Sequence, residues 1–277
     1  MNGVDAMTLA LAVAGNRVLG GLQIADFWPH SDIFQFVEYV RFAESERGLI
    51  AGVGPHIVAG DPKQWFQRLA EDRTGLMVRR IPREKTAEGV TSRALAGFLG
   101  GGDRWIIEAM GPKGSDLWAG VWQVGDQKAA DRRIWQVHYD CVAHDRREPW
   151  GNDRPLGDIS TDLAANLTAI AAFAREQGLQ NWGEIFDGAR AVLSGAAAID
   201  PATDYNSFAV SLATDARHLL AACSQASVFG GMGSWNDVPL TDGAQPRYDA
   251  LSQRLYELTQ EGAIAAANTS LAFVVRR

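Results

Sequence analysis

The chain has 277 residues, 47% of them hydrophobic and 21% charged, with a formal net charge of -7. That composition is globular, allows one large domain or two ordinary ones, and excludes collagen-like and disordered classes. The acidic balance argues against nucleic acid as a partner. It is also uneven: residues 1–150 hold seven of the nine Trp and a net charge of -1, while residues 151–277 are Ala-rich and hold -6.

From the first residue, Leu9–Ala14 is a six-residue apolar run with Gly15-Asn16 behind it. It reads as a buried strand and hairpin turn, without the basic flank of a signal peptide and too short to cross a bilayer. Ser31 begins a predicted helix that reaches about Arg47, since Ile33, Phe34, Val37 and Val40 recur at helical spacing and Gly48 can end it. Short strands are expected at Leu49–Val53 and His56–Ala59. Asp61-Pro62 pairs a cap with Pro at the first helical position, opening a helix with Trp65, Phe66 and Leu69. Leu76–Ile81 reads as a strand and Thr91–Leu99 as a short helix ended by Gly100–Gly102.

Three strands follow: Arg104–Met110, Leu117–Val124 and Ile134–Val142. Their turn-rich connections predict an antiparallel meander. In the third, Trp135, Val137, Tyr139 and Cys141 face one way, and Gln136, His138 and Asp140 the other. Trp105, Trp118, Trp122 and Trp135 are expected to share an aromatic layer. The charged, Pro- and Gly-broken stretch 144–158 is the predicted boundary. Beyond it, four helices are expected, on Leu163–Phe173, Ile185–Val192 (with an Asn181/Glu184 capping box), Phe208–Cys223 and Tyr248–Leu258. The expected fold is therefore α+β: a mixed N-terminal domain, 1–150, with a meander packed by helices, then an all-α bundle, 151–277.

Chemical signatures are sparse. No phosphate-binding loop, GxSxG, HExxH or paired-Cys pattern occurs, so no cofactor and no metal are expected. Cys141 and Cys223 are the only cysteines, which suits a reducing cytoplasm. The densest polar cluster is His138, Asp140, His144 and Asp145. Glu108 on a nearby strand could join His138 and Asp140 in a hydrolase site. The alternative reading is that Gln136, His138 and Asp140 are simply the solvated face of an antiparallel sheet.

The most specific segment is Gly230-Gly231-Met232-Gly233-Ser234-Trp235-Asn236-Asp237. Its glycines permit unusual dihedrals, and Ser234, Asn236 and Asp237 can satisfy main-chain groups. It is expected to be an ordered interhelical loop in which Trp235 either anchors the loop or faces a partner. Over about residues 205–262 it resembles an uncharacterised bacterial helical domain carrying a Gly-Gly-Met-Gly-Ser-aromatic-Asn-Asp loop. That resemblance implies a helical module and a meaningful loop; it implies no reaction. The reading that follows is a bacterial, cytoplasmic protein-binding protein without catalysis, of the toxin-immunity or accessory-subunit kind. Gly231–Asp237 is its binding segment, and a basic protein rather than nucleic acid or membrane is its partner. The alternatives are the Glu108/His138/Asp140 hydrolase and a homodimeric scaffold.

Overall fold

The computed structural model describes residues 3–24, 26–44, 56–82, 91–96, 101–200, 206–230 and 232–274. In chain order the elements are α1 (Gly3–Leu19), β1 (Val37–Glu44), β2 (His56–Ala59), α2 (Pro62–Leu69), β3 (Gly75–Ile81), α3 (Ser92–Leu95), β4 (Arg104–Gly111), β5 (Gly114–Val124), β6 (Trp135–Arg146), α4 (Leu156–Glu176), α5 (Gln180–Leu193), α6 (Asn206–Ala209), α7 (Thr214–Gln225) and α8 (Gln245–Asn268). Short 3-10 turns lie at Asp32–Phe34, Trp235–Asp237 and Thr269–Phe273.

The fold is α+β, but not the one the sequence suggested. β4, β5 and β6 do run antiparallel, yet they belong to a six-stranded mixed sheet of order β2-β1-β6-β5-β4-β3. β1 lies parallel to β6 in that sheet. The expected free-standing C-terminal bundle is also overturned. α4, α5, α7 and α8 pack on one another, but α8 also lies on β3 and on α1, from the opposite end of the chain. Helices are thus interspersed along the sequence, and one apolar core takes residues from both sides of 144–158.

α1 explains much of the difference. The run read as a strand is helical and buried on almost its whole circumference, from Ala6 to Ala14. A short apolar run is compatible with either element when both faces are covered. Similarly, Ser31 precedes only a 3-10 turn, and the residues after it form β1. The Leu49–Val53 strand and the Gly48 helix end lie outside the described residues. The expected Phe208–Cys223 helix is two, α6 and α7, while the Asp61-Pro62 helix start stands. The Asp61 carboxylate accepts the Gln64 N–H at 2.9 Å and caps α2, where Trp65, Phe66 and Leu69 are buried. Gly178, at φ +74°, ends α4 in the left-handed region, and the Leu179 N–H returns to the Ala174 carbonyl at 2.8 Å. The Asn181/Glu184 capping box is not formed: α5 begins at Gln180, with Leu179 before it.

The inner sheet face carries the aromatic layer. Phe42 stacks on Trp65 with centroids 4.2 Å apart, and Trp118 meets both edge-on. Trp122 and Trp135 form a second T-shaped pair. Trp105 stands apart from them and donates its indole N–H to Gln260 of α8. The Tyr139 hydroxyl lies 3.0 Å from Thr8 Oγ1 and ties β6 to α1.

β3 is an edge strand, and two amides close its free side. Asn16 of α1 accepts the Leu76 N–H at 2.7 Å and donates to the Leu76 carbonyl at 2.9 Å. Asn268 of α8 does the same for Val78, at 2.8 and 3.1 Å. Asn16 also donates to Ser270 Oγ at 2.8 Å. Replacing Asn16 by Ala leaves the buried Leu76 backbone groups unpaired and is expected to cost about 2–4 kcal/mol. Denaturant unfolding would measure this, and a loss under 0.5 kcal/mol would show that the clamp is dispensable.

Candidate functional site

The polar trio Glu108, His138 and Asp140 shares the outer sheet face, as alternation requires, but it does not converge. In the register, Glu108 of β4 lies opposite Leu117 of β5, and Asp140 of β6 opposite Ala119 of β5. An intervening strand separates their backbones by about 9–10 Å. Glu108 is instead bonded to Arg79 Nε at 2.6 Å, and Arg79 also pairs with Asp153. His138 Nε2 lies 3.1 Å from the Tyr39 hydroxyl, with the two rings edge-on. Arg41 sits 3.9 Å above the Tyr39 ring.

One half of this outer face is covered. Trp150, in the stretch expected to be a linker, packs on Ile106, Leu117 and Ala119, and Arg146 lies over its ring at 4.4 Å. The other half is open. Its central cross-strand row is Arg41, His138 and Val121. Val121 is 41% exposed, where a solvated antiparallel face would normally place a polar residue.

The Gly-rich loop is ordered by its own side chains. Gly233, at φ +82°, needs the left-handed region that glycine tolerates. Its N–H is held by the Asp237 carboxylate at 2.8 Å. Ser234 Oγ donates to the Gly230 carbonyl and accepts the Asn236 N–H. Asn236 Oδ1 accepts from Arg93, which also pairs with Asp249. Trp235 is completely buried among Trp182, Phe186 and Tyr248, and its indole N–H donates to Ser252 at 2.8 Å. Of the two expected roles for Trp235, the structure shows the anchor. Met232 is the exposed tip of the loop. Gly231 lies outside the described residues. Gly230 lines a cleft of about 220 Å³ with Asp5, Gly102, Asp103 and Tyr256.

A further cluster escaped the sequence reading. Asp116, Cys141 and His144 bring one carboxylate oxygen, the thiol sulfur and a ring nitrogen within 4.8 Å of one another. Regular alternation would set residues 141 and 144 on opposite faces. In the register, however, Trp118 opposes Cys141 while Leu117 opposes Ala143, so Val142 is an extra residue. This bulge returns His144 to the side of Cys141. The chain beyond it is held by Asp145, at φ +47°, whose N–H donates to Asp116 Oδ1 at 3.1 Å. Gly114 is required opposite, because a Cβ there would lie 2.5 Å from the Asp145 backbone. Arg73 donates to the other oxygen of Asp116 at 2.6 Å. The sequence does contain a signal, the Cys141-x-x-His144 spacing; the bulge that makes it matter is invisible there. His138 and Asp140 belong to the outer face, so the four residues read as one polar cluster divide between two sites.

Burial, reinforced by the charges of Asp116 and Glu44, pushes the Cys141 thiol up to about 12. Burial also raises Cys223. Neither cysteine is in a disulfide.

Comparison of the chain with protein-family models, curated proteins and solved structures gives no match.

Two outcomes follow from these environments. Trp235→Ala should destabilise the fold by about 3–5 kcal/mol, the cost of emptying a buried aromatic site. Met232→Ala should leave the unfolding midpoint unchanged. Both thiols should stay protonated and resist alkylation in the native protein at pH 8, then react once it is unfolded. Rapid native labelling of Cys223 would contradict its burial.

Proposed function

We propose that this protein acts in a bacterial cytoplasm by binding another protein, without chemistry of its own, as an immunity-type or accessory subunit does. The observation that carries this reading is the half-covered sheet. Trp150 and the stretch around it close the outer face over β4 and the start of β5, while Arg41 and Val121 remain exposed beside the half-buried Tyr39 and His138. Tyr and Arg are the residue types that dominate binding energy at protein interfaces, and exposed apolar positions beside them mark such surfaces. The net charge of -7 favours a basic partner by steering encounter. The unpaired, buried thiols suit a reducing compartment. No helix among the described residues is long and apolar enough to cross a membrane.

This reading moves the contact surface away from Gly231–Asp237, because Trp235 is committed to packing. The resemblance of that loop to an uncharacterised bacterial domain then bears on how this corner folds. The hydrolase reading gains no support from the separated Glu108 and Asp140.

A photo-crosslinking residue placed at Val121 in the native host tests the proposal, with the same residue at exposed Glu184 on α5 as control. A defined protein adduct at Val121, absent at Glu184 and weakened by added salt, is the expected result. No adduct at Val121, or the same adducts at both positions, would overturn it. An adduct to a second copy of this chain would replace it with the homodimeric scaffold.

A further inference from the structure

Asp116, Cys141 and His144 form a corner that the proposed partner-binding face does not include. Cys141 Sγ lies 3.5 Å from His144 Nδ1, and the same nitrogen lies 3.6 Å from Asp116 Oδ1. A nucleophilic Cys-His-Asp triad uses the two ring nitrogens separately, one toward the nucleophile and one toward the carboxylate. Here both partners face Nδ1, so the three atoms converge on one point. Zinc bonds of about 2.0–2.3 Å, opened at tetrahedral angles, separate adjacent ligand atoms by about 3.3–3.6 Å. The two separations from Nδ1 match that spacing, and all three atoms lie within 4.8 Å of one another.

The surroundings hold the ligands for this purpose. Arg73 occupies Oδ2 of Asp116 and the Asp145 N–H takes one lone pair of Oδ1, which fixes the carboxylate and leaves Oδ1 able to accept once more. Glu44 of β1 sits beside Cys141 in the register and is paired with Arg68. Two carboxylates and a metal-bound thiolate would bring three negative charges to the corner; Arg68 and Arg73 return two. The His144 side chain is 30% exposed, which provides an entry path. Borderline-soft metals are the class that accepts sulfur, imidazole and carboxylate together.

We propose that Asp116, Cys141 and His144 bind one divalent transition-metal ion of the zinc class, with a fourth position left to water or a ligand. As the metal–sulfur bond forms, the thiol proton leaves to solvent. The site stands on different residues from the proposed protein-binding face and does not depend on it.

Cobalt(II) provides the test, because its thiolate complexes absorb through sulfur-to-cobalt charge transfer. Full-length protein, stripped with chelator, should bind one equivalent of Co2+ with a charge-transfer band and tetrahedral-intensity visible bands, and Zn2+ should displace it. Cys141→Ser should abolish the charge-transfer band. His144→Ala, at a partly exposed position, should weaken binding at least tenfold. Cys223→Ser should keep the full spectrum. Zn2+ should raise the melting temperature of the unmodified protein and not that of His144→Ala. Absence of the band in the unmodified protein, equal binding by His144→Ala, or loss of the band in Cys223→Ser would each overturn the proposal.

Discussion

The free side of β3 is the constraint around which the rest is arranged. An edge strand buried under helices has no water to satisfy its outward N–H and C=O groups, and such groups are rarely left unpaired. A further strand is the usual solution. Here two Asn side chains act as fragments of one, each matching both backbone groups of a single residue. Because the amides come from α1 and α8, closing the sheet edge also fixes both helices against it. The position of α8 then sets the place of α4 and α7, which pack on it. A local hydrogen-bonding problem is thereby solved by elements from opposite ends of the chain, and this is why the compositional split does not become two separate cores.

The legible parts of the sequence were those governed by short-range rules. β4 to β6 alternate and are joined by turns, α2 has its cap and proline, and α4 ends on glycine; each signal lies within a few residues. α1 was missed because a helix covered on all sides loses the amphipathic period that identifies it. β1 was missed because its bulge and its Val37 and Val40 positions imitate helical spacing, while its partner β6 lies far along the chain. At the outer face, alternation placed His138 and Asp140 on one side but could supply neither the register of Glu108 nor the strand between them. Cys141 and His144 were read on different grounds, and only the bulge at Val142 joins them. The loop at 230–237 was recognisable as ordered from its Gly, Ser and Asp residues. The complete burial of Trp235 depends on Trp182, Phe186 and Tyr248, which local sequence does not bring together.

The acidic half is less free to act as a charged surface than its net charge implies. Asp162 is shared by Arg154 and Arg254, Asp187 by Arg175 and Arg190, Glu176 pairs with Arg247, and Asp249 with Arg93 from the other half. Exposed pairs of this kind contribute little stability individually. Their effect is to consume much of the local field, so long-range attraction for a partner arises from the whole molecule more than from one patch.

The bond between Asn16 and Ser270 also has a consequence for the order in which the protein can be made. α1 emerges well before β3 and residues 268–270, and its buried amide cannot be satisfied until both have been translated. An apolar helix of this kind must wait, exposed or shielded by chaperones, while the intervening residues are produced. The parallel pairing of β1 with β6 imposes a similar delay, since long-range contacts reward the chain only after their loop closes. The fold therefore cannot close before residue 270 is made, and truncation near residue 268 would remove a partner of α1.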